Sequence, residues 1–482
     1  MHAPASHHGP AGPHVATGGD DARRWWLLGL VGLAQFMLII DVTVVNVALP
    51  SIGGELGLDR ALLTWVVTAY TLTFGSLLLL GGRLADAFGG RRVFLAGLTV
   101  FTAASLLSGL APSGELLVAA RVAQGIGAAL LSPAALSIIT TTFHGRERDR
   151  ALAVWGTLAG TGAAFGVVLG GLLSAGPGWQ WIFFVNVPVG VAVGLAARRL
   201  VPDPGPGRKD QRIDALGAVS AVLAVGLFLW AVIGAGDPAS TSVVTVLAFG
   251  GSILAGALFA WIETRAADPL LRPGLLRTRG LAGSVTVFTI ASALLGSSFF
   301  LSSLYMQGVL GLSAFEAGLA FLPGALGTLV GAQLAGAAIG HAGPRLVAAA
   351  GLAIAAAGAG LLAGLPGNGD LVADFVPGYV LLAIGSGMAI VAATTGAFGH
   401  VAQEEAGMAS GVVNTSHELG LSLGVGLASA VVGGSLAGVG SATGFAAAFG
   451  VAGIVAAAAI GVAWIVMPAR APAGHGRLAT GH

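Results

Sequence analysis

The stretch Trp25-Trp-Leu-Leu-Gly-Leu-Val-Gly-Leu-Ala-Gln-Phe-Met-Leu-Ile-Ile-Asp-Val-Thr-Val-Val-Asn-Val47 decides the fold class. A helix crosses the ~30 Å hydrocarbon core of a bilayer in about 20 residues, and this run is that long and almost entirely apolar. It is too long for the apolar core of a signal peptide and no cleavage site follows it, so it reads as a retained spanning helix.

The rest of the chain extends that reading. Of 482 residues 55% are hydrophobic and 9% charged, and the mean hydropathy is +0.89. A soluble domain carries roughly a quarter of its residues as charges. The formal net charge of +1 excludes a basic nucleic-acid binder, so no nucleic-acid partner is expected. With no cysteine there is no disulfide framework, thiolate nucleophile or cysteine metal site. Lys209 is the only lysine, and with the abundance of Ala and Gly this points to a GC-rich bacterial genome.

Runs of about 20 apolar residues bounded by charges, Pro or Gly number fourteen: 25–47, 62–80, 93–110, 116–140, 151–173, 181–197, 213–233, 243–262, 281–305, 317–339, 346–365, 375–395, 410–432 and 445–466. With the N-terminus inside, every Arg and Lys is cytoplasmic except Arg60 and Arg121. A wrong or missing span would scramble that asymmetry, so the positive-inside rule predicts both termini in the cytoplasm. Residues 1–24, rich in Gly, Pro, Ala and His, read as a disordered cytoplasmic tail, and 468–482 as a second one. His7, His8 and His14 have no metal-site spacing, and no metal site is expected.

A faint repeat divides the spans. Gly82-Arg-Leu-Ala-Asp-Ala-Phe-Gly-Gly-Arg91 has a degenerate counterpart in Gly336-Ala-Ala-Ile-Gly-His-Ala-Gly-Pro-Arg345, and the same offset carries Trp25 to Arg279. The expected organisation is an all-α membrane protein with a six-helix bundle over 25–200, two extra helices within 201–278 and a second six-helix bundle over 279–467.

Five segments, in order, carry a family resemblance: Asp41-Val-Thr-Val-Val-Asn-Val-Ala-Leu-Pro50, Trp65-Val-Val-Thr-Ala-Tyr70, Arg121-Val-Ala-Gln-Gly-Ile-Gly-Ala-Ala129, Trp181-Ile-Phe-Phe-Val-Asn-Val-Pro-Val-Gly190 and Ala409-Ser-Gly-Val-Val-Asn-Thr-Ser416. Together they resemble the major facilitator superfamily, and within it the fourteen-span drug:proton antiporters of bacteria. The resemblance implies the major facilitator fold and export of amphipathic or cationic drugs, antibiotics or secondary metabolites across the bacterial plasma membrane. It implies protons, lipid and a small amphipathic molecule as partners, with no cofactor beyond the proton gradient. It also implies a conformational gate in the loop between the second and third spans, formed here by Asp86 with Arg83, Arg91 and Arg92. Ala87 and Gly90 stand where the family places basic residues. In the fifth span Gly166-Val-Val-Leu-Gly-Gly171 replaces the proline of the antiporter motif by Val167, while Gly162, Gly166 and Gly170 leave one face bare for a neighbouring helix.

Ionisable groups inside the membrane are costly and are functional candidates by default. Three stand out: Asp41, Arg121 and Glu418. At 1.5 Å per residue Asp41 lies roughly 24 Å and Arg121 roughly 22 Å from the cytoplasmic face, so the opposite charges share a height. A proton-coupling pair and a purely structural ion pair are both compatible with that placement. Glu418 replaces the Gln usual after Asn-Thr-Ser-Arg in the family and reads either as a helix spacer or as a second proton or cation site. Gln35, Trp65, Tyr70, Gln124, Tyr305, Gln333 and Asn414 are candidates for a substrate cavity, against the alternative of interhelical bonding and packing. Asn186 is grouped with the interhelical hydrogen bonders. A phosphate-cradling loop and His-Glu-x-x-His are absent, and the one Gly-x-Ser-x-Gly match, Gly420-Leu-Ser-Leu-Gly424, lies inside an apolar span rather than at a strand-to-helix turn, which disfavours a nucleotide-driven pump and a membrane enzyme. Uptake by the same fold is the remaining alternative.

Overall fold

The computed structural model describes residues 18–202, 214–236, 241–266, 269–271, 274, 279–366, 369–399, 401, 405–434 and 442–469. Nearly all of them are helical, as lipid demands, because only a helix or a closed barrel satisfies every backbone polar group without water. The first half contains α1 (Gly18–Leu56), α2 (Arg60–Phe88), α3 (Gly90–Gly109), α4 (Gly114–Thr142), α5 (Gly145–Ala175), the single turn α6 (Trp181–Phe184) and α7 (Asn186–Leu200). Then come α8 (Ala215–Ala235) and α9 (Ser242–Glu263), and the second half follows: α10 (Arg279–Gly308), α11 (Ala314–Ala320), α12 (Leu322–Leu362), a π-helical turn Leu371–Phe375, α13 (Val376–Phe398), α14 (Ala406–Gly434) and α15 (Ala442–Val466). Most of the two expected tails, 1–17 and 470–482, lies outside the described residues, but α1 begins at Gly18, so the end of the N-terminal segment is helical.

Among the described residues twelve helices are long and apolar enough to cross a membrane, against the fourteen expected. Two features make the difference. One of the twelve runs from Ala314 to Leu362 over 49 residues and is interrupted at Gly343, whose φ of 80° and ψ of 159° are not helical. The other is α14, 29 residues long, which is not among the twelve and carries Asn414, His417 and Glu418 in its length.

The break at Gly343 also makes the repeat visible in the backbone. Gly89, between α2 and α3, has φ 90°, and its counterpart at the repeat offset is Gly343. Gly57 (φ 63°) precedes α2, and the same offset gives Gly311 (φ 67°) before α11. These positions need a residue without Cβ, because positive φ is a strained conformation for L side chains. Even the caps correspond: Asp59 accepts from Leu62 N at the start of α2, and Ser313 forms a capping box with Glu316 at the start of α11.

Proline sets one close helix contact. Pro133 in α4 has no N–H to offer the carbonyl four residues back, Ala129 O, and α2 packs Gly81 onto that carbonyl so tightly that a Cβ there would sit 1.9 Å from it. The bare face of α5 lies against α1, with Gly162, Gly166 and Gly170 facing Ile39, Thr43 and Val44. Gly171, next along, faces Ala314 and Phe315 of α11, and the Val167 carbonyl meets Gly318, so this segment also joins the two halves.

Several arginines assigned to one side of the membrane bond carbonyls at helix ends there. Arg91 donates to Arg198 O (2.6 Å) and Arg345 to Met467 O (2.7 Å); Arg83 donates to Pro269 O (2.7 Å) in the segment after α9, and Arg24 pairs with Glu147 at 3.1 Å. Cations at helix C-termini are favourable, so the residues that set topology also finish helices.

Candidate functional site

Six elements build one polar cluster inside the first half. Asp41 of α1 and Arg121 of α4 form a direct ion pair, Nη1 to Oδ2, with 0% and 1% of their side chains exposed. The other oxygen, Oδ1, accepts from Gln124 Nε2 at 3.1 Å and from Asn186 Nδ2 at 3.0 Å. Arg121 also donates to Gln124 Oε1 (2.8 Å) and, through Nε, to Val66 O of α2 (3.0 Å). Its guanidinium lies 4.4 Å from the Tyr70 ring centroid and 5.8 Å from that of Phe183. Ser105 and Ser108 of α3 complete the coordination of Gln124, at 2.8 and 3.2 Å.

The geometry separates two kinds of contact. Arg121 is anchored within the first half by Val66, Gln124, Tyr70 and Phe183, so loss of its bond to Asp41 would not release it. Asp41 is held only by groups that donate to a carboxylate.

Further along α1 the helix reaches across to the second half. Pro50 leaves the Asn46 carbonyl without its helical donor, and Ser303 Oγ of α10 donates to that oxygen instead. Gln307 Nε2 donates to Val47 O at 2.8 Å. The run from Asp41 to Pro50 therefore joins a carboxyl group to a contact between halves, about one and a half helical turns apart.

Of the cavity candidates, Tyr70 and Gln124 belong to this cluster. Trp65 faces away from it, its ring 6.1 Å from Trp230 of α8 at the wall of an apolar groove of about 770 Å³. Tyr305 is buried in the second half, stacked on Phe375 at 5.7 Å and near Phe445 at 5.8 Å. Gln35 is half-buried with its Oε1 unpartnered among the described residues. Gln333 and Asn414 are exposed along their helices, Gln333 beside the exposed Leu326, Leu329, Val330 and Leu334. Glu418 stands apart from Asp41, on the face of α14 that meets α2 at Gly75. Asp86 and Arg92 are exposed at the α2–α3 end, and Arg83 and Arg91 are engaged as described above. Asn186 and the two serines join the site beyond the expected set; the Val-Asn-Val-Pro run was the available signal for the first.

Two helical halves with an ionic cluster at membrane depth are the architecture of a polytopic membrane transporter. The chain belongs to the Major Facilitator Superfamily, whose sequence model matches residues 31–425. It is 41% identical over 431 residues to the puromycin resistance protein of Streptomyces alboniger, covering 88% of this chain and 84% of that protein. It is 37% identical to the cephamycin export protein of Amycolatopsis lactamdurans, covering 85% of each. The structure of a peptide transporter POT in complex with alafosfalin matches with a TM-score of 0.67 over 91% of this chain and 93% of that one; at 16% identity the likeness is one of fold.

Proposed function

We propose that this chain is a proton-coupled exporter of amphipathic antibiotics or related metabolites in a bacterial plasma membrane, with both termini cytoplasmic and fourteen crossings. The observation that carries the coupling is the buried Asp41–Arg121 pair with its two amide donors. The export direction is supported by the relatives, which are antibiotic resistance and export proteins. The crossings beyond twelve are α14 and the second limb of α12 after Gly343.

In this reading a proton arriving on Asp41 breaks its bonds to α4 and α7 while Arg121 stays in place. The freed α1 then shifts its Asn46 and Val47 carbonyls against α10, which changes the balance between conformations open to either side. The loop with Asp86, Arg83, Arg91 and Arg92 acts on the same balance from the cytoplasmic end, and Gln35, Gln333 and Asn414 line the substrate path.

Inside-out vesicles holding an imposed proton gradient test the proposal. Addition of puromycin or another antibiotic is expected to dissipate the gradient while the compound accumulates inside, and an uncoupler abolishes accumulation. Accumulation that survives the uncoupler overturns the coupling, and movement in the opposite sense overturns export in favour of uptake.

A further inference from the structure

The two helices between the halves enclose a space of their own. α8 packs on α2 and α14, and α9 packs on α8, so a groove of about 770 Å³ opens between this pair, α2 and α4. Its walls are apolar through most of their depth, with Leu72 of α2, Val118 and Val122 of α4, and Ile233 of α8 among them. Leu72 stands twelve residues past Arg60 and Val122 eight residues past Gly114, which puts them about 18 and about 12 Å from the ends of their helices. Half of a ~30 Å hydrocarbon core is about 15 Å, so the groove runs the depth of one leaflet. Trp230 and Val244 on its flank are exposed, so the groove opens sideways onto lipid.

Polar groups gather at one end. Glu115, in the first turn of α4, is the charged residue that lines the groove; it is exposed and has no ion-pair partner among the described residues. Arg60, next to the lining residue Ala61, is turned to α14 instead and donates to Ser429 O at 2.6 Å. Thr241 lies at the same rim and precedes α9 without a side-chain hydrogen bond to that helix, so the first-turn N–H groups of α9 add a positive end across from the Glu115 carboxylate. Trp65 and Trp230, with ring centroids 6.1 Å apart, each stand five residues inside their helix ends, just below the rim. Indole rings favour that level in a bilayer, where one edge is wet and the body is apolar.

We propose that this groove holds an acyl chain of a phospholipid with a primary-amine headgroup, its ammonium on Glu115 and its phosphate toward the start of α9. The site rests on the orientation adopted above, which makes the leaflet the outer one. Charge complementarity selects the headgroup: a zwitterionic amine lipid matches a carboxylate and a helix N-terminus at one rim, whereas an anionic glycerol headgroup has nothing to offer Glu115. Val118 and Val122 flank Arg121 along α4, so the chain in the groove braces the helix that carries the ion pair and sets its distance from α8.

Native mass spectrometry of the purified full-length protein in detergent tests the site, with dioleoyl phosphatidylethanolamine and dioleoyl phosphatidylglycerol titrated in turn. The wild type is expected to bind the amine lipid about fivefold more tightly, and Glu115→Gln to remove that preference while its melting temperature stays that of the wild type. Ala119→Trp places a large side chain in the groove from an exposed position and is expected to remove one amine-lipid adduct. Equal affinity for both lipids in the wild type, a preference that survives Glu115→Gln, or unchanged adducts in a folded Ala119→Trp each overturns the site. So does binding of puromycin that Ala119→Trp abolishes while the lipid adducts persist, which would make the groove a drug site. The measurement needs no transport: failure of export in vesicles leaves the lipid site standing, and failure of the lipid preference leaves export standing.

Discussion

The two halves share a backbone pattern and differ in what fills it. The offset that relates Gly57 to Gly311 and Gly89 to Gly343 carries Asp41 to Leu295 and Arg121 to Phe375. Where the first half holds an ion pair with amide donors, the second holds a ring stack of Tyr305, Phe375 and Tyr379 with Phe321 beside it. The first half is thus built around a buried ion pair, and the corresponding positions of the second around aromatic and apolar contacts.

Arg121→Ala should have the largest effect. It strands the Asp41 carboxylate in a buried site, a change that costs about 3–5 kcal/mol for a broken buried pair. We expect complete loss of export and a lowered melting temperature in detergent; normal export with an unaltered pH profile would remove the pair from the mechanism. Phe375→Ala tests the other half. Removal of a fully buried ring costs about 3 kcal/mol or more in a packed core, so stability should fall while the residual transport keeps the wild-type pH dependence. A changed pH profile in that variant would abolish the distinction between the halves.

Gln124→Leu is a smaller perturbation, because Arg121 still holds Asp41. It removes a donor to Asp41 and leaves the buried Ser105 and Ser108 hydroxyls short of a partner, at about 1–3 kcal/mol. The expected result is slower export with a shifted pH midpoint, measured in vesicles. Asp86→Asn should matter least to chemistry, since Asp86 is exposed in the last turn of α2. A few-fold change in turnover over several dyes, with the same order of preference, is the outcome; a changed preference at unchanged rates would argue against a gating role.

Much of this was legible in sequence, for identifiable reasons. Apolar run length located the helices because lipid leaves the backbone no alternative, and the shared depth of Asp41 and Arg121 followed from helical rise alone. The span count was harder. The break in α12 depends on one glycine beside Pro344, and α14 carries a polar run in mid-helix that dilutes its apolarity. Side-chain direction was not legible at all. Trp65 and Tyr305 have the composition of cavity residues, yet their rings face α8 and the core of the second half, because residue type does not say which side of a buried helix faces the centre. Asn186 reads in sequence as a bond between helices and makes one, but its acceptor, Asp41, is known only once α1 and α7 are adjacent.

Proton release on substrate addition, followed with a pH dye in weakly buffered detergent solution, tests the central claim most directly. For the wild type, substrate is expected to displace protons. Asp41→Asn preserves side-chain volume and removes the titratable group, so it should still bind substrate but release no proton from this site and support no export against a gradient. Unchanged proton release and full export by Asp41→Asn, at normal expression, would contradict the account.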